Sequence, residues 1–279
     1  MTPTIKKYFA VHPEHARALT TKQLREHFLL SQLFQADTIQ LRYSHYDRML
    51  VGGIMPEKTI VRLEPVDLLK AEYFLERREM GVVNVGASGV VVADGNEIIL
   101  EHKEALYLGR GVKNVSFANL EGGQAFFYFN SSPAHRVHPI KKISLADAET
   151  VTIGSQESAN HRTIRKLIVQ ATVTTCQLQM GLTELHTGSV WNTMPSHTHD
   201  RRMEVYFYFN QPEGNAVCHM MGEPDETRHL WMKNHEAVLS PAWSIHSGVG
   251  TSSYSFIWGM AGENLDYSDM DSINIDELR

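Results

Sequence analysis

Cysteine is scarce in this sequence of 279 residues, which contains only Cys176 and Cys218. Two cysteines do not make a disulfide framework, so a reducing compartment fits, and both are expected to be small buried core residues. No apolar run approaches the ~20 residues that a membrane-spanning helix requires. The segment from Met1 to Ala10 also lacks the apolar stretch of a secretory signal. We therefore expect a cytoplasmic protein without a membrane partner.

Positive charge is also in short supply. Lysine and arginine number 26 against 32 aspartates and glutamates, which gives a formal net charge of −6. A nucleic-acid partner would need a basic face, so the sequence predicts none. Apolar residues at 42% and charged residues at 21% are typical of a soluble globular protein, and 279 residues can form one large domain or two ordinary ones.

The clearest helical periodicity lies in the first 35 residues. Thr20 or Thr21 can cap a helix there, and its apolar positions begin at Leu24 and Phe28 and continue to Leu33. The pattern predicts one short helical segment at the N-terminus.

Short β-strand patterns separated by turn residues dominate from Met80 onward, and Asp94-Gly95 between two β-branched runs is a strong hairpin signal. Few apolar residues occur between 130 and 165, which marks a domain boundary. The sequence therefore predicts an all-β fold of barrels or sandwiches. We expect residues 1–140 to hold the helix and a first β-domain, and residues 141–279 to hold a second one with the C-terminal tail.

Two short internal echoes bear on whether the domains are duplicates. Residues 104–109 (EALYLG) resemble residues 236–241 (EAVLSP) at an offset of 132, and residues 127–130 match 207–210 (both FYFN) at an offset of 80. The two offsets cannot belong to one repeat. We interpret the first echo as a trace of a duplicated barrel and the second as chance.

The clearest chemical motif is His197-x-His199 followed by Glu204. Residues two apart on a β-strand point to the same face, so the two imidazoles can aim at a common point. Glu204 opens the next apolar run, in which Tyr206 and Tyr208 share its face and are expected to line a pocket. Two nitrogens and one carboxylate oxygen around one centre are what a divalent transition metal needs.

His246 is the candidate for a fourth ligand, because it follows a turn marked by Pro241 and precedes a Ser/Gly-rich segment. The complete pattern of His-x-His-x4-Glu and a later Pro-x4-His resembles the cupin superfamily, in which three histidines and one glutamate bind metal inside a small β-barrel. Trp243 stands where a cupin glycine is expected, but that position is not a ligand. The resemblance implies a metal site formed by His197, His199, Glu204 and His246.

The residues around these ligands narrow the resemblance. They include the segments 180–185 (MGLTEL), 188–195 (GSVWNTMP), 222–230 (GEPDETRHL) and 240–250 (SPAWSIHSGVG), and the likeness reaches back to 74–79 (FLERRE). Together they resemble the 5-keto-4-deoxyuronate isomerase family over essentially the full length. The resemblance implies two cupin-like (jelly-roll) β-barrels, a metal-free first barrel and a metal-binding second one. It also implies a homo-oligomer, and the assembly that we consider is a hexamer.

Membership of that family would make the protein a metal-dependent aldose–ketose isomerase. The implied reaction converts 5-keto-4-deoxyuronate (5-dehydro-4-deoxy-D-glucuronate) to 3-deoxy-D-glycero-2,5-hexodiulosonate in the breakdown of pectin or other polyuronides. One Zn²⁺ per subunit suits this chemistry, since zinc polarises a carbonyl without redox side reactions. The spacing of the residues does not identify the general base, for which Glu184 is one candidate.

A hexuronate-derived substrate also needs a cation for its carboxylate. Arg202 is the first choice because it shares strand parity with Glu204. The cations considered are Arg162, Arg165, Lys166, Arg201, Arg202 and Arg228.

Two functions of other classes stay open. An Fe(II) cupin dioxygenase can use the same three histidines and glutamate, and it would need oxygen for turnover. A non-catalytic sugar-acid-binding cupin would keep the barrel for ligand capture alone.

The other histidines lack this ligand spacing. His135 and His138 lie three residues apart in a loop between two prolines, where solvated side chains are expected rather than a second metal site. Five further histidines are expected to be structural: His161, His186, His219, His229 and His235.

Overall fold

A computed structural model describes residues 4–279, and residues 1–3 of the N-terminal segment discussed above lie outside that range. Helix α1 spans Pro13–Arg17 and helix α2 spans Thr21–Phe28. Single 3₁₀ turns cover Asp67–Leu69 and Ile275–Glu277. No helix of residues 4–279 combines the length and the apolarity that a bilayer crossing requires.

Helix α2 confirms the predicted N-terminal helical segment but ends earlier than its apolar pattern. The Thr20 hydroxyl accepts a hydrogen bond from the Gln23 backbone N–H, and the Gln23 side-chain oxygen accepts one from the Thr20 backbone N–H. This capping box stabilises the first turn by about 1 kcal/mol. After Phe28 the chain turns into a strand, because Leu29 and Leu30 pair with residues of a later strand. The expected continuation of the helix to Leu33 is therefore wrong.

Most of the chain is strand, and residues 4–279 form twenty-four strands. The first twelve are β1 (Thr4–Tyr8), β2 (Leu29–Leu30), β3 (Ile39–Ser44), β4 (Leu50–Ile54), β5 (Val61–Arg62), β6 (Arg78–Asn84), β7 (Gly89–Ala93), β8 (Asn96–Leu100), β9 (Ala105–Leu108), β10 (Val115–Asn119), β11 (Phe127–Pro133) and β12 (Lys141–Ile143). The remaining twelve are β13 (Glu149–Ile153), β14 (Arg162–Ile168), β15 (Gln179–Leu185), β16 (Trp191–Asn192), β17 (His197–Thr198), β18 (Arg202–Phe209), β19 (Val217–Glu223), β20 (Glu226–Met232), β21 (Glu236–Ser240), β22 (Ser247–Gly250), β23 (Ser255–Gly262) and β24 (Asp271–Ser272).

Twenty-two of the strands form two pairs of sheets with the same connectivity, and β17 and β24 form a separate two-stranded sheet. A seven-stranded sheet (β1-β3-β4-β11-β6-β9-β12) and a four-stranded sheet (β5-β10-β7-β8) make the first pair. The second pair is β13-β14-β15-β23-β18-β21-β2 with β16-β22-β19-β20. The order β4-β11-β6-β9 in the first pair recurs as β15-β23-β18-β21 in the second, and β5-β10-β7-β8 recurs as β16-β22-β19-β20. This arrangement confirms the predicted all-β fold with two cupin-like jelly-roll β-barrels.

Strand order supports the duplicated barrel inferred from the 132-residue echo. The two members of that echo lie on β9 and β21, which hold the same place in the strand orders of the two large sheets. The FYFN echo instead falls on β11 and β18, which are not equivalent strands.

The interiors of the two barrels differ in polarity. In the first, Met80, Val82 and Phe129 belong to one buried hydrophobic cluster. The equivalent strand of the second barrel presents Glu204 and Tyr206, both buried. A buried phenylalanine contributes about 1.5–3 kcal/mol, whereas a buried carboxylate costs free energy unless it is paired. The second interior therefore carries the polar groups that need an explanation.

Contacts divide the chain into two interleaved compact units. Of the described residues, unit 1 contains 4–7, Gln32–Glu149 and Lys166–Met180, and unit 2 contains Tyr8–Ser31, Thr150–Arg165 and Gly181–Arg279. The N-terminal helices thus group with unit 2, because β2, which follows α2, pairs with β21. This grouping differs from a single division at residues 140 and 141.

Candidate metal centre

The four predicted ligands come from three parts of the second barrel. His197 lies on the short strand β17, and His199 follows it in the turn before β18. Glu204 lies on β18, and His246 immediately precedes β22. His199, Glu204 and His246 are almost fully buried, whereas His197 is partly exposed. The barrel thus brings together all four residues singled out in the sequence.

The ligand atoms of these residues converge on one point. Nε2 of His199 lies 2.9 Å from Oε2 of Glu204, and Nε2 of His246 lies 3.0 Å from the same oxygen. Nε2 of His197 lies 2.9 Å from Nε2 of His246. The four atoms all lie within 4.8 Å of one another. Metal–ligand distances of about 2.0–2.2 Å require this kind of spacing between neighbouring ligands.

Hydrogen bonds on the far side of two imidazoles select the tautomer that a metal requires. Nδ1 of His199 lies 2.9 Å from the carbonyl oxygen of Arg202, which can only accept, so Nδ1 carries the proton. Nδ1 of His246 lies 3.2 Å from the Ser240 hydroxyl and 3.4 Å from the Ser244 carbonyl oxygen. Protonation at Nδ1 leaves the Nε2 lone pairs aimed at the centre.

The electrostatics of the cluster also suit a cation. Burial would raise the pKa of the Glu204 carboxyl, but its interactions with the imidazoles of His246 and His199 outweigh burial and hold that pKa well below its ordinary value. Burial, together with the charge of His246, lowers the pKa of His197 to about 3. An ionised carboxylate and a neutral imidazole are the protonation states that bind metals. This cluster could hold a metal ion.

Solvent reaches the cluster from the side of His197. A cleft there is lined by Pro195, Ser196, His197 and residues of the C-terminal tail between 270 and 276. The tail is attached through β24, where Ser272 pairs with His197.

Trp243, at the position of the expected cupin glycine, packs edge-on against Phe28 with ring centroids 6.3 Å apart.

A row of hydrogen-bonded polar side chains begins at Tyr206, next to the cluster. The Tyr206 ring lies 5.3 Å from the His246 ring, and its hydroxyl lies 3.0 Å from the hydroxyl of Thr193. Thr193 donates to Oδ1 of Asn192 at 2.9 Å, and Asn192 in turn donates a short hydrogen bond to the Tyr254 hydroxyl. The sequence pattern predicted that Tyr206 lines a pocket, but it carried no signal for the other three residues.

His219 is a buried histidine whose environment the sequence did not indicate. Its Nδ1 shares a hydrogen bond of 2.7 Å with the Tyr208 hydroxyl, while Nε2 has no hydrogen-bond partner among the described residues. The strand alternation of Val217, His219 and Met221, all buried, was the available signal. Burial, with a contribution from the charge of His246, lowers the pKa of His219 to about 3.

This shift predicts that His219 makes folding stability depend on pH. The unfolded chain gains a proton at His219 below pH 6.5, whereas the folded chain does not until about pH 3, so stability is lost as pH falls through that window. One such group contributes a slope of about 1.4 kcal/mol per pH unit. The free energy of unfolding can be measured by urea unfolding between pH 6.5 and 4.5 at constant metal concentration. Plotted against pH, it should fall less steeply for His219→Gln than for the unmodified protein, by this amount. Equal slopes would contradict the prediction.

Other candidates from the sequence lie outside the cluster. Within residues 4–279, the four residues described above are the only group of three or more potential ligands close enough to share an ion. His135 is exposed and His138 half-buried. His161 and His186 stack on each other at 4.1 Å.

Arg202 and Glu184 have other partners than those expected of them. Arg202 is buried, and its guanidinium donates to the carbonyl oxygens of Asp266 and Asp269 at 2.5 and 2.9 Å. Glu184 accepts a hydrogen bond of 3.1 Å from Nε of Arg165. A Cβ at Gly181 would meet Trp258, which pairs with Tyr206 on the inner face. Glu184, three residues further along β15, therefore points to the outer face.

A model of the KduI/IolB family matches residues 29–275 of the chain. The 4-deoxy-L-threo-5-hexosulose-uronate ketol-isomerase of Formosa agariphila is 55% identical over 280 residues, covering 100% of both chains. The enzyme of the same name from Bacteroides fragilis is 56% identical over 97% of each chain, and that of Yersinia pestis is 52% identical over 97% of this chain and 98% of the relative.

Solved structures of lower identity share the fold. An IolB-like protein from Salmonella typhimurium has a TM-score of 0.66 at 15% identity, covering 81% of this chain and 87% of its own. The oxalate decarboxylase of Lactobacillus farciminis has a TM-score of 0.55 at 11% identity, covering 81% and 79%. At these identities the likeness concerns the fold alone, and it agrees with the two barrels described above.

Proposed function

The chain belongs to the KduI/IolB family, and from this membership we propose that it is a metal-dependent ketol-isomerase. The proposed reaction converts 5-keto-4-deoxyuronate to 3-deoxy-D-glycero-2,5-hexodiulosonate. The observation that carries the proposal is 55% identity over the full length of a 4-deoxy-L-threo-5-hexosulose-uronate ketol-isomerase. The cluster of His197, His199, Glu204 and His246 supports it, because the reaction needs polarisation of a carbonyl group.

An aldose–ketose isomerisation moves a proton between adjacent carbons and exchanges the roles of their oxygens. A divalent metal bound by the four ligands supplies Lewis-acid stabilisation of the negative charge that develops on these oxygens. Tyr206 lies on the inner face next to His246, and burial raises its pKa well above the ordinary value. Its phenol therefore stays protonated at neutral pH and can donate a hydrogen bond to a substrate oxygen. Trp258, the cross-strand partner of Tyr206, lies on the same face.

Zinc is the metal we propose, at one ion per subunit. Three imidazoles and one carboxylate are ligands that zinc accepts, and its lack of redox chemistry suits an isomerase. Iron can use the same ligands, so the experiment below includes the dioxygenase as an outcome.

The wider setting is also a proposal. The family supports a role in the breakdown of pectin or other polyuronides, and the cytoplasmic location stays a prediction. A homo-oligomer, with a hexamer as the form considered, is supported by large apolar side chains on the surface of unit 2: Phe9 is 63% exposed and Trp231 is 51% exposed. Sedimentation velocity tests the oligomer, and a monomer at micromolar concentration would contradict it.

Metal analysis paired with an isomerase assay tests the proposed function. We expect one zinc per subunit, activity on 5-keto-4-deoxyuronate that is lost on chelation and restored by zinc, and equal activity without oxygen. Bound iron with oxygen uptake and no isomerisation would favour the dioxygenase. Binding of sugar acids without turnover would favour the non-catalytic module.

A further inference from the structure

His197 is the predicted metal ligand that the barrel itself holds least firmly. The rings of His199 and His246 are fixed on their far sides by hydrogen-bond contacts at Nδ1, and Glu204 lies within the eight-residue strand β18. For His197, the one hydrogen-bond contact of the ring among the described residues is that of its Nε2 with Nε2 of His246. The position of this imidazole therefore depends on its backbone.

That backbone belongs to a strand of two residues, β17, whose partner is the C-terminal tail (residues 263–279). In the separate two-stranded sheet of β17 and β24, His197 pairs with Ser272. The Ile273 N–H adds a hydrogen bond of 3.0 Å to the carbonyl oxygen of Ser196. Because an isolated pair of strands is marginally stable in water, the tail must be attached at other points if it is to hold β17 in place.

Arg201 attaches the tail next to the cluster. Its Nε donates to Oδ1 of Asp269 at 2.7 Å, and its Nη2 donates to Oδ2 of Asp271 at 3.0 Å. Asp271 is itself a residue of β24. The guanidinium of Arg201 thus joins the turn that contains His199 to the strand that pairs with His197.

The other attachments of the tail are also mainly polar. The guanidinium of Arg202 donates to the carbonyl oxygens of Asp266 and Asp269, and the Thr227 N–H donates to the carbonyl oxygen of Arg279 at 3.0 Å. None of residues 263–279 is buried. A segment with so little apolar burial can detach at a low cost in free energy, and its detachment would leave β17 without a strand partner.

We propose that the C-terminal tail positions His197 for the metal, and that Arg201 is the positioning residue that keeps the tail docked. The proposal rests on the proposed function through its metal site. With the tail docked, β24 holds β17 so that Nε2 of His197 faces the other three ligands. With the tail detached, the metal keeps only His199, Glu204 and His246. Docking and metal binding are therefore coupled, and each must strengthen the other by the same factor.

Hydrogen exchange of the unmodified protein tests this coupling without any variant. Removal of the metal by chelation should speed the exchange of the amide groups of residues 263–279 by about 10-fold, and return of zinc should slow it again. The amide groups of β7, in unit 1, are the control and should be unaffected. Exchange in the tail that is equal with and without zinc would overturn the proposal.

Arg201→Gln tests the attachment, with Arg165→Gln as the matched control. The control makes the same chemical change and removes the ion pair with Glu184. In competition with a chelator, Arg201→Gln should bind zinc about 10-fold more weakly. Arg201→Lys should recover part of that loss, and Arg165→Gln should stay within about twofold of the unmodified protein.

Isomerase activity at two zinc concentrations separates positioning from catalysis. Arg201→Gln should lose activity at limiting zinc and regain it at saturating zinc, because excess metal restores occupancy of the site. Activity that stays low at saturating zinc would overturn the proposal, since Arg201 would then act on the reaction itself.

The outcomes also distinguish this proposal from the proposed function. Unchanged zinc affinity in Arg201→Gln, or an equal loss in Arg165→Gln, would overturn the role of the tail and leave the isomerase in place. Zinc binding that depends on Arg201 in a protein without isomerase activity would refute the proposed function and support the role of the tail. A protein that binds no zinc would overturn both.

Discussion

Glutamine in place of Glu204 is expected to abolish stoichiometric metal binding and to lower kcat/KM by at least about 10³-fold. Glu204 is the single anionic member of the cluster, and its Oε2 lies within 3.0 Å of two ligand imidazoles. Even residues that only orient a metal ligand are worth about 10–100-fold in activity or affinity, so loss of a charged ligand should cost more. Metal content measured by mass spectrometry, with kcat/KM on 5-keto-4-deoxyuronate, checks the prediction.

Glu184→Gln is the matched control, since it makes the same chemical change on the same barrel. Its carboxylate points to the outer face and pairs with Arg165, so we expect full metal content and activity within about threefold of the unmodified protein. Such a half-exposed pair contributes at most about 1 kcal/mol to stability. A Glu204→Gln variant with normal metal content would contradict the proposed set of metal ligands. A large loss in Glu184→Gln alone would instead restore Glu184 as a candidate base.

Alanine at Gly181 is expected to lower the free energy of unfolding by about 3 kcal/mol, at the upper end of what overpacking usually costs. A Cβ there would lie 1.9 Å from Cζ2 of Trp258 and 2.4 Å from its Cε2, whereas carbon atoms pack at about 3.5–4.0 Å. The indole must therefore move. Because Trp258 pairs directly with Tyr206, we also expect a fall in kcat. Urea unfolding followed by tryptophan fluorescence measures the first effect.

The cause of this effect can be isolated with Trp258→Phe. Phenylalanine is smaller than tryptophan and makes room for the new methyl group, so the double variant should be less destabilised than the sum of the two single variants. We expect a coupling of about 1–2 kcal/mol in this double-mutant cycle. Strictly additive effects would show that the contact between these side chains is not the reason.

Local spacing was sufficient for much of the fold and for the side chains that form the candidate metal cluster. Hairpin signals and β-branched runs identified an all-β chain, since each reports on backbone geometry within a few residues. His197 and His199 are two residues apart, and Glu204 follows after one tight turn, so parity alone predicted a shared face. The helix was predicted in the right place but too long, because Leu29 and Leu33 continue its apolar pattern. In the structure Leu29 pairs with Val238 in a sheet, so the helix ends before it.

The sequence by itself indicated the class of fold, the family and the four residues of the candidate metal cluster, because these depend on short-range patterns and on motifs that stand unbroken in the chain. Only the tertiary structure decided which charged groups are free. Arg202 is held by carbonyl groups more than sixty residues away, and Arg165 pairs with Glu184 on the outer face of β15. Such partners come together only when distant strands pair. The residues next to an arginine in the sequence therefore do not indicate which group it will bind.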